Sequence, residues 1–375
     1  MGLVRVALAL AVLLSHLPPA SYKFLSGGLA VHSFFIVSGF YMALVLDGKY
    51  KDPALFYSNR LLRLAPTYFV TCVLSAITLW VFTASPTASP ELMATIFSNP
   101  LTAVVMAFEN IFVVGQEMLF WVSIDDAGNL IWDPRGPLPD ENTVVGWQGL
   151  LTPQSWSLSM ELMFYALAPW LARAGWKWIA IVAALSIALR LAGPLTGVEY
   201  LLWQGRLFPT ALFLFLLGML AHKALPLAMT LPKYVGWIAA AALLAFIAAH
   251  PLIQTAIEQT TGINAVQGRW IVYAVVTPLI PFIFATFKDF AWDRWIGDLS
   301  YPIYLAQLMV IGMVLTYLTD PTLQIWVAIG GTIALSALIM VVVEQPVDRW
   351  RQARVARKDP RAAREEPPEA SVAPL

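Results

Sequence analysis

The feature that most constrains this sequence is a succession of apolar runs, each about as long as a helix that crosses a bilayer. A transmembrane helix needs roughly 17–25 mostly apolar residues, because in hydrocarbon every backbone N–H and C=O must be hydrogen-bonded within the protein. The ten runs lie near residues 3–17, 29–46, 66–84, 157–172, 176–192, 206–222, 234–250, 270–287, 299–318 and 323–343. We therefore predict an all-α fold, a polytopic integral membrane bundle of about ten transmembrane helices.

Composition excludes the other broad classes of protein. Hydrophobic residues make up 59% of the chain and charged residues 12%, against roughly 45–50% and about 25% in soluble domains. This balance argues against a soluble domain and against a disordered chain. The single cysteine, Cys72, excludes an intramolecular disulfide, and the four histidines lack the spacing of metal ligands. We expect no metal, and nothing basic or repetitive indicates nucleic-acid binding.

Two segments allow more than one interpretation. The stretch 92–121 is apolar but contains Pro100, Glu109 and Glu117. We predict an interfacial or re-entrant helical segment there, and an eleventh span is the alternative. The first run also resembles a cleaved secretory signal. We favour an uncleaved helix, because Pro18 and Pro19 occupy the cleavage region and nine further runs follow.

The distribution of basic residues predicts the orientation of the bundle. Short loops rich in Lys and Arg stay in the cytoplasm. With ten spans and both termini inside, 18 of the 23 Lys and Arg residues fall on the inner side and 5 on the outer side. We therefore predict cytoplasmic termini, a membrane domain over residues 1–346, and a basic, disordered cytoplasmic tail over residues 347–375.

The connection 123–155 is the one sizeable outer segment. It is acidic and rich in turn-forming residues, and Trp132 and Trp147 interrupt it, close after Trp121. Carboxylates beside aromatic faces would suit a carbohydrate acceptor. The alternative is that the tryptophans are ordinary membrane-interface residues.

Few ionisable residues lie inside the runs, where a charged group costs on the order of 2.5–3.5 kcal/mol on insertion scales. His16 lies eleven residues beyond Arg5, about 16 Å along a helix. Glu161 lies a few residues into the fourth run, which the orientation above enters from outside. We therefore expect the two side chains at similar depth, where the imidazole can act as a base and the carboxylate can orient it. Packing roles for a lone histidine and a lone glutamate are the alternative.

Six sequence segments, in register, resemble one family of membrane enzymes. They are the Arg5 to His16 spacing and the segments GLAVHSFFIVSGF (28–40), NRLLRLAPTY (59–68), SWSLSMELMFY (155–165), LSYPIYL (299–305) and EQP (344–346). Together they resemble acyltransferase family 3, whose ten-helix domain acylates hydroxyls on cell-surface glycans and other acceptors. The resemblance covers nearly the whole chain.

The resemblance implies roles for particular residues. His16 and Glu161 would be the catalytic pair. Arg60 and Arg63, which share one helix face at a spacing of three, would grip the phosphates of an acyl-CoA donor together with Arg5. The remaining residues expected to line the site are His32, Ser38, Trp156, Tyr301 and Gln307.

Two positions depart from the pattern of the family. His32 stands where relatives often carry an acidic or amide residue, so it is either a second site group or a packed polar residue. Gln307 stands where a histidine often ends the segment after Tyr301, so a role that rests on a second histidine there is in doubt. We expect no hydrolase-like extra domain after the helices, so that the ten helices alone would complete the transfer.

These residues together imply a membrane O-acyltransferase. We expect it to move an acyl group, in the first instance acetyl, from acyl-CoA to a hydroxyl of a glycan or lipid-linked sugar. It would need no cofactor and would act in a bacterial inner membrane. The alternative is a proton-coupled transporter or exporter of an envelope glycan precursor, in which His16 and Glu161 would relay protons.

Overall fold

The computed structural model describes residues 1–18, 23–48, 53–133, 143–198 and 200–358. Helices dominate these residues. The α-helices are α1 Gly2–His16, α2 Gly27–Gly48, α3 Pro53–Phe82, α4 Pro90–Ser98, α5 Pro100–Phe112, α6 Trp156–Arg173, α7 Trp176–Leu191, α8 Tyr200–Gly205, α9 Phe208–Ala221, α10 Leu225–Thr230, α11 Lys233–Thr261, α12 Ala265–Phe287, α13 Ala291–Asp298, α14 Ser300–Tyr317, α15 Pro321–Ile339 and α16 Gln345–Lys358. Short 3-10 turns lie at Gln116–Trp121, Gly146–Gly149, Pro153–Ser155, Gly193–Leu195 and His222–Ala224, and a π-helical turn at Met340–Glu344 joins α15 to α16.

Each of the ten apolar runs coincides with a helix, which confirms the predicted all-α, membrane-type fold. Among the described residues, seven helical segments are long and apolar enough to cross a membrane: Gly27–Asp47, Pro53–Phe82, Leu202–Thr230, Lys233–Thr261, Ala265–Phe287, Ala291–Tyr317 and Pro321–Arg354. α1 is apolar but only 15 residues long, and α6 and α7 are 18 and 16 residues long. The total of ten spans therefore stays a prediction.

The segment predicted to be re-entrant is a pair of helices with a sharp bend. α4 and α5 meet at an angle of 118°. Asn99 causes the break, because its side-chain oxygen accepts hydrogen bonds from the backbone N–H groups of Leu101 and Thr102 at 3.1 and 3.3 Å, and Pro100 begins the second helix. A re-entrant hairpin and a single broken span both fit this geometry.

The connection between α5 and α6, which the charge distribution predicts to lie on the outer side, contains a small antiparallel sheet. Strands β1 Val122–Asp125, β2 Leu130–Trp132 and β3 Thr143–Val145 pair in the order β2-β1-β3. The turn after β1 is closed by Asp125, whose carboxylate accepts hydrogen bonds from Asn129 and Ala127. The bonds from Asn129, with a smaller effect of Ala127, hold the pKa of the Asp125 carboxyl below its usual value. The carboxyl therefore stays ionised at neutral pH and keeps the turn closed.

Helix α2 lies at the centre of the bundle, and glycine brings it against α9. A Cβ atom at Gly39 would lie 1.9 Å from the carbonyl oxygen of Phe215, and one at Gly218 would lie 1.9 Å from that of Ile36. Only glycine allows this backbone approach, a device common between helices in membranes. Beside it, the Phe215 ring stacks on those of Phe35 and Phe164, with centroids 4.6 and 4.3 Å apart.

The predicted disordered tail differs from the structure over its first part. Residues 345–358 form α16, and Arg351 in this helix is buried. The helix is basic and has low hydropathy, so its sequence resembles a solvated segment although one of its arginines packs inside. Residues 359–375 of the predicted tail lie outside the described residues.

Candidate functional site

Glu161 lies in a fully buried polar cluster between α2, α3 and α6. Its Oε1 accepts a hydrogen bond from Ser38 Oγ at 2.5 Å and a second, short one from Tyr165 OH, one turn further along α6. The guanidinium groups of Arg60 and Arg5 lie within electrostatic range of the carboxyl group. Its other oxygen is buried and makes no hydrogen bond to the described residues. The structure thus joins Glu161 to Ser38, one of the predicted lining residues.

His16 ends α1 and is exposed. Its Nδ1 lies 3.0 Å from the carbonyl oxygen of Val12 in the preceding turn. A carbonyl oxygen can only accept a hydrogen bond, so this contact requires the proton on Nδ1. The lone pair of a neutral imidazole is then on Nε2, where it can take a proton from a hydroxyl group.

The structure does not bring His16 and Glu161 together at one depth. The C-terminal end of α1 packs on the start of α2, since a Cβ at Gly27 would lie 2.2 Å from Ser15 Oγ. Glu161 is bonded to Ser38, eleven residues further along α2 and about 16 Å deeper at 1.5 Å per residue. The physical reason is that the turn Pro153–Ser155 before α6 is itself buried, so α6 begins inside the protein and not at its outer surface.

The two predicted donor-binding arginines of α3 face different surroundings. Arg63 lines a cavity of about 330 Å³. Arg60 is not among the described residues that line it; its guanidinium lies 5.8 Å from the centroid of the Phe56 ring, and the side chain is 2% exposed. Because Pro53–Phe82 is one continuous helix, the spacing of three places the Cα atoms of Arg60 and Arg63 on the same helix face. Their side chains nevertheless point to different surroundings.

The cavity lies where α3 meets the α13–α14 junction and the start of α16. Arg63 forms ion pairs of 3.7 Å with both Asp298 and Asp348. Thr67 on the same helix donates a hydrogen bond to Glu344 at 2.8 Å. The residues that line the cavity are Leu62, Arg63, Pro66, Thr67, Asp298, Met340, Glu344, Gln345, Val347, Asp348, Arg349 and Arg351.

Arg5 and Tyr301 connect α1, α3 and α14 at the end of the bundle where α1 begins. Arg5 is buried and donates a hydrogen bond to Ser300 Oγ at 2.8 Å. Tyr301 OH donates to the Leu64 carbonyl at 2.9 Å. These bonds fix α14 beside α1 and α3.

Gln307 and Trp156 lie further from this end of the bundle. The Gln307 side-chain amide donates to the Tyr304 carbonyl at 3.1 Å, inside the bundle. Trp156 is the first residue of α6. Its ring lies against the guanidinium of Arg206, whose Cζ is 3.6 Å from the ring centroid.

His32 belongs to a separate buried cluster. Its Nδ1 lies 2.7 Å from Tyr273 OH, and Arg190 donates to the same hydroxyl at 3.3 Å. Arg190 is fully buried and also lies over the ring of Phe213 at 5.3 Å. The surroundings match the packed polar interpretation of His32, and the structure shows no hydrogen bond from it to His16 among the described residues.

Sequence reasoning missed two residues beside the predicted site. Arg206 lies between the rings of Trp156 and Phe120, 3.6 and 3.9 Å from their centroids, and within electrostatic range of His16. Tyr165 bonds Glu161. The i, i+4 spacing to Glu161 could have revealed Tyr165. Arg206 could not be found in this way, because it packs against Phe120 and Trp156 from distant parts of the chain and no local sequence pattern indicates these contacts. Across the described ranges, no group of three or more His, Cys, Asp or Glu side chains is placed to hold a metal ion.

Comparison with protein families identifies the family of the chain. No curated protein and no solved structure matches the chain. A family model described as an acyltransferase domain, that of acyltransferase family 3, matches residues 1–342. The matched segment contains His16, Glu161 and the cavity residues of α3, and it ends within the π-helical turn that precedes α16. Since the match covers most of the 375 residues, the chain belongs to acyltransferase family 3 and is a multi-pass membrane acyltransferase.

Proposed function

We propose that this acyltransferase transfers an acyl group, in the first instance acetyl, from cytoplasmic acyl-CoA to a hydroxyl group of an acceptor on the outer side. The observation that carries the proposal is the arginine-lined inner cavity, in which Arg63 is the α3 residue able to hold phosphate. Arginine binds phosphate through paired N–H donors and is suited to this role. Arg60 and Arg5, both buried and near Glu161, would support the site through their charge.

In the proposed reaction His16 is the general base. The acceptor hydroxyl gives its proton to Nε2 while its oxygen attacks the thioester carbonyl carbon. Collapse of the tetrahedral intermediate breaks the C–S bond, and the proton on Nε2 passes to the departing sulfur, which leaves as the free thiol of CoA. The Val12 carbonyl keeps Nε2 available by holding the proton of Nδ1.

For Glu161 we propose a positioning role in place of direct contact with His16. Its carboxyl group holds Ser38 and Tyr165 together and lies near two guanidinium groups. This arrangement supports a role of the carboxyl group in holding α2, α3 and α6 in register. In the proposed reaction the acyl chain must pass this level on its way from the inner cavity toward His16.

The acceptor is proposed to be a glycan or a lipid-linked sugar at the outer face of a bacterial inner membrane. Support comes from the outer segment, where the Trp121 and Trp132 rings stack with centroids 6.5 Å apart and Trp132 is 52% exposed. An exposed indole face is suited to the apolar face of a sugar ring, and the acidic residues of the same segment are suited to its hydroxyl groups.

Two measurements test the proposed function. Surface glycans and lipid-linked sugars from cells with and without the protein are compared by mass spectrometry, and a difference of one acyl group per sugar is expected. Purified protein is then supplied with acetyl-CoA and the extracted acceptor, and free CoA thiol is measured. A protein that moves the acceptor across the membrane without releasing CoA would support the transporter alternative and overturn the proposal.

His16→Ala is the decisive variant in this assay. Loss of a general base costs on the order of a hundredfold or more, so CoA release should fall at least that far while the amount of inserted protein stays normal. His250→Ala is the matched control: His250 is a buried histidine of α11 whose ring packs against Phe246. If His16→Ala kept more than about a tenth of the activity, the proposed role of His16 would be wrong.

A further inference from the structure

Helix α16 lies beyond the segment that the family model matches, yet it forms one wall of the inner cavity. The match ends at residue 342. Five cavity-lining residues come from the first two turns of α16: Gln345, Val347, Asp348, Arg349 and Arg351. Apart from Gln345, which lies in the EQP segment that resembles the family, these residues belong to a region that the family model does not match.

A single carboxylate in α16 lies between two of the arginines that line this cavity. Asp348 Oδ1 lies 3.7 Å from Arg63 Nη1 on α3. The same oxygen accepts hydrogen bonds from Arg351, from Nε at 3.1 Å and, at shorter range, from Nη2. Both arginine side chains are more than nine-tenths buried. An anionic oxygen between two buried guanidinium groups occupies the position in which a phosphate group would be bound.

The charges that line the cavity cancel. Arg63, Arg349 and Arg351 carry three positive charges, and the ionised forms of Asp298, Glu344 and Asp348 carry three negative charges. An anionic ligand gains little from a neutral cavity unless it replaces one of these carboxylates. Asp348 is the carboxylate best placed for replacement, because it contacts both arginines and is carried by a helix that follows a π-helical turn. Such turns are frequent at functional sites.

The other end of α16 is attached to α3. Arg354 donates hydrogen bonds to Ser58 Oγ at 2.8 Å and to Asn59 Oδ1 at 3.4 Å. This attachment keeps Arg351 on the same side of the cavity as Arg63 even when Asp348 leaves its position. The two arginines can therefore act on one ligand together.

From this geometry we infer that Arg351 is a phosphate-binding residue of the donor site and that Asp348 is an internal anion which the donor phosphate displaces. The inference rests on the proposed function, because it takes acyl-CoA as the ligand of the inner cavity. Removal of the positive charge of Arg351 and removal of the negative charge of Asp348 should then have opposite effects on donor binding. Loss of the Arg351 fork should weaken donor binding, and loss of the Asp348 charge should strengthen it.

The test measures binding of CoA, which carries the donor phosphates but cannot react, to the full-length purified protein by titration calorimetry. Arg351→Gln is expected to raise the Kd of CoA at least tenfold, and Asp348→Asn to lower it at least threefold. Arg357→Gln is the matched control, because it removes the same charge from an exposed position of the same helix and should leave Kd unchanged. Arg351→Lys provides a second variant that keeps the charge but loses the fork, and an intermediate Kd is expected.

Each contrary result has a separate meaning. If the wild-type protein binds no CoA, the proposed donor is wrong. If wild type and Arg63→Gln differ in Kd while Arg351→Gln and Arg351→Lys match wild type, only the role of α16 is overturned. A lipid phosphate is the other source of the same chemistry, so the proteins are also titrated in nanodiscs with and without phosphatidylglycerol. Variants that change the effect of phosphatidylglycerol but not the Kd of CoA would show a lipid site and overturn the inference.

Discussion

At the scale of single residues, the hydrogen bonds of two side chains decide the proposed chemistry. The Val12 carbonyl can only accept, so it fixes the tautomer of His16 without a carboxylate. Glu161 is then not needed to orient the imidazole, and its bonds to Ser38 and Tyr165 occupy it elsewhere. His16 and Glu161 could be predicted as site residues from the sequence. Their partners could not, because the depth of Glu161 depends on the burial of the turn before α6.

The different roles of His16 and Glu161 predict a particular pH dependence. If the Glu161 carboxylate contacted the imidazole and raised its pKa, Glu161→Gln would lower the midpoint of the acidic limb of kcat/KM, where the general base becomes protonated, by about a unit or more, since one unit corresponds to about 1.4 kcal/mol of interaction. We expect the midpoint to stay within about 0.3 units of the wild-type value, because Gln cannot disturb an imidazole that it does not contact. The measurement is CoA release against pH.

The control for this experiment is a second substitution of the same residue. Glu161→Asp keeps the charge and shortens the side chain, so its pH profile should have the same midpoint even if its rate is lower. A midpoint that moves in Glu161→Gln and not in Glu161→Asp would restore the direct pairing of Glu161 with His16.

At the scale of elements, hydropathy located the helices because burial in lipid and burial in protein both require apolar residues. Hydropathy could not predict α16, because its arginines are stabilised by specific polar contacts. Arg351 bonds Asp348 in the preceding turn, and Arg354 bonds Ser58 and Asn59 of the distant helix α3. Hydropathy also could not predict how α2 and α9 pack. That contact depends on two glycines, and a glycine in an apolar run has the same hydropathy whether or not another backbone touches it.

The contact of α2 with α9 predicts a strong effect for the smallest possible substitution. In Gly39→Ala the new methyl group would lie 1.9 Å from the Phe215 carbonyl oxygen, so the helices must separate. Overpacking of this kind costs about 1–3 kcal/mol. We expect a clear fall in the thermal midpoint of the protein in detergent. Gly330→Ala in α15 is the control, because a Cβ there has nothing within 4 Å and should leave the midpoint unchanged or raise it.

At the scale of the whole molecule, the proposed reaction needs two faces with different roles. The arginine-lined cavity lies at the end of the bundle that carries Arg5, and His16 lies at the other end of α1, about 16 Å away along the helix. The charge distribution of the sequence assigns the cavity end to the cytoplasm, where acyl-CoA is made. The acceptor and donor would then approach His16 from opposite sides of the membrane.

This arrangement predicts which cysteines can be labelled in intact cells. In a Cys72→Ser background, Ala127→Cys places a thiol on the exposed turn of the outer sheet, and Asp289→Cys places one on the exposed connection between α12 and α13. We expect an impermeant maleimide to label the first variant in intact cells and the second only after the membrane is opened. A fluorescent reporter fused after Leu375 should also mature. Labelling with the opposite pattern would put the cavity and Arg63 outside, where no acyl-CoA is available, and the proposed mechanism would have to be abandoned.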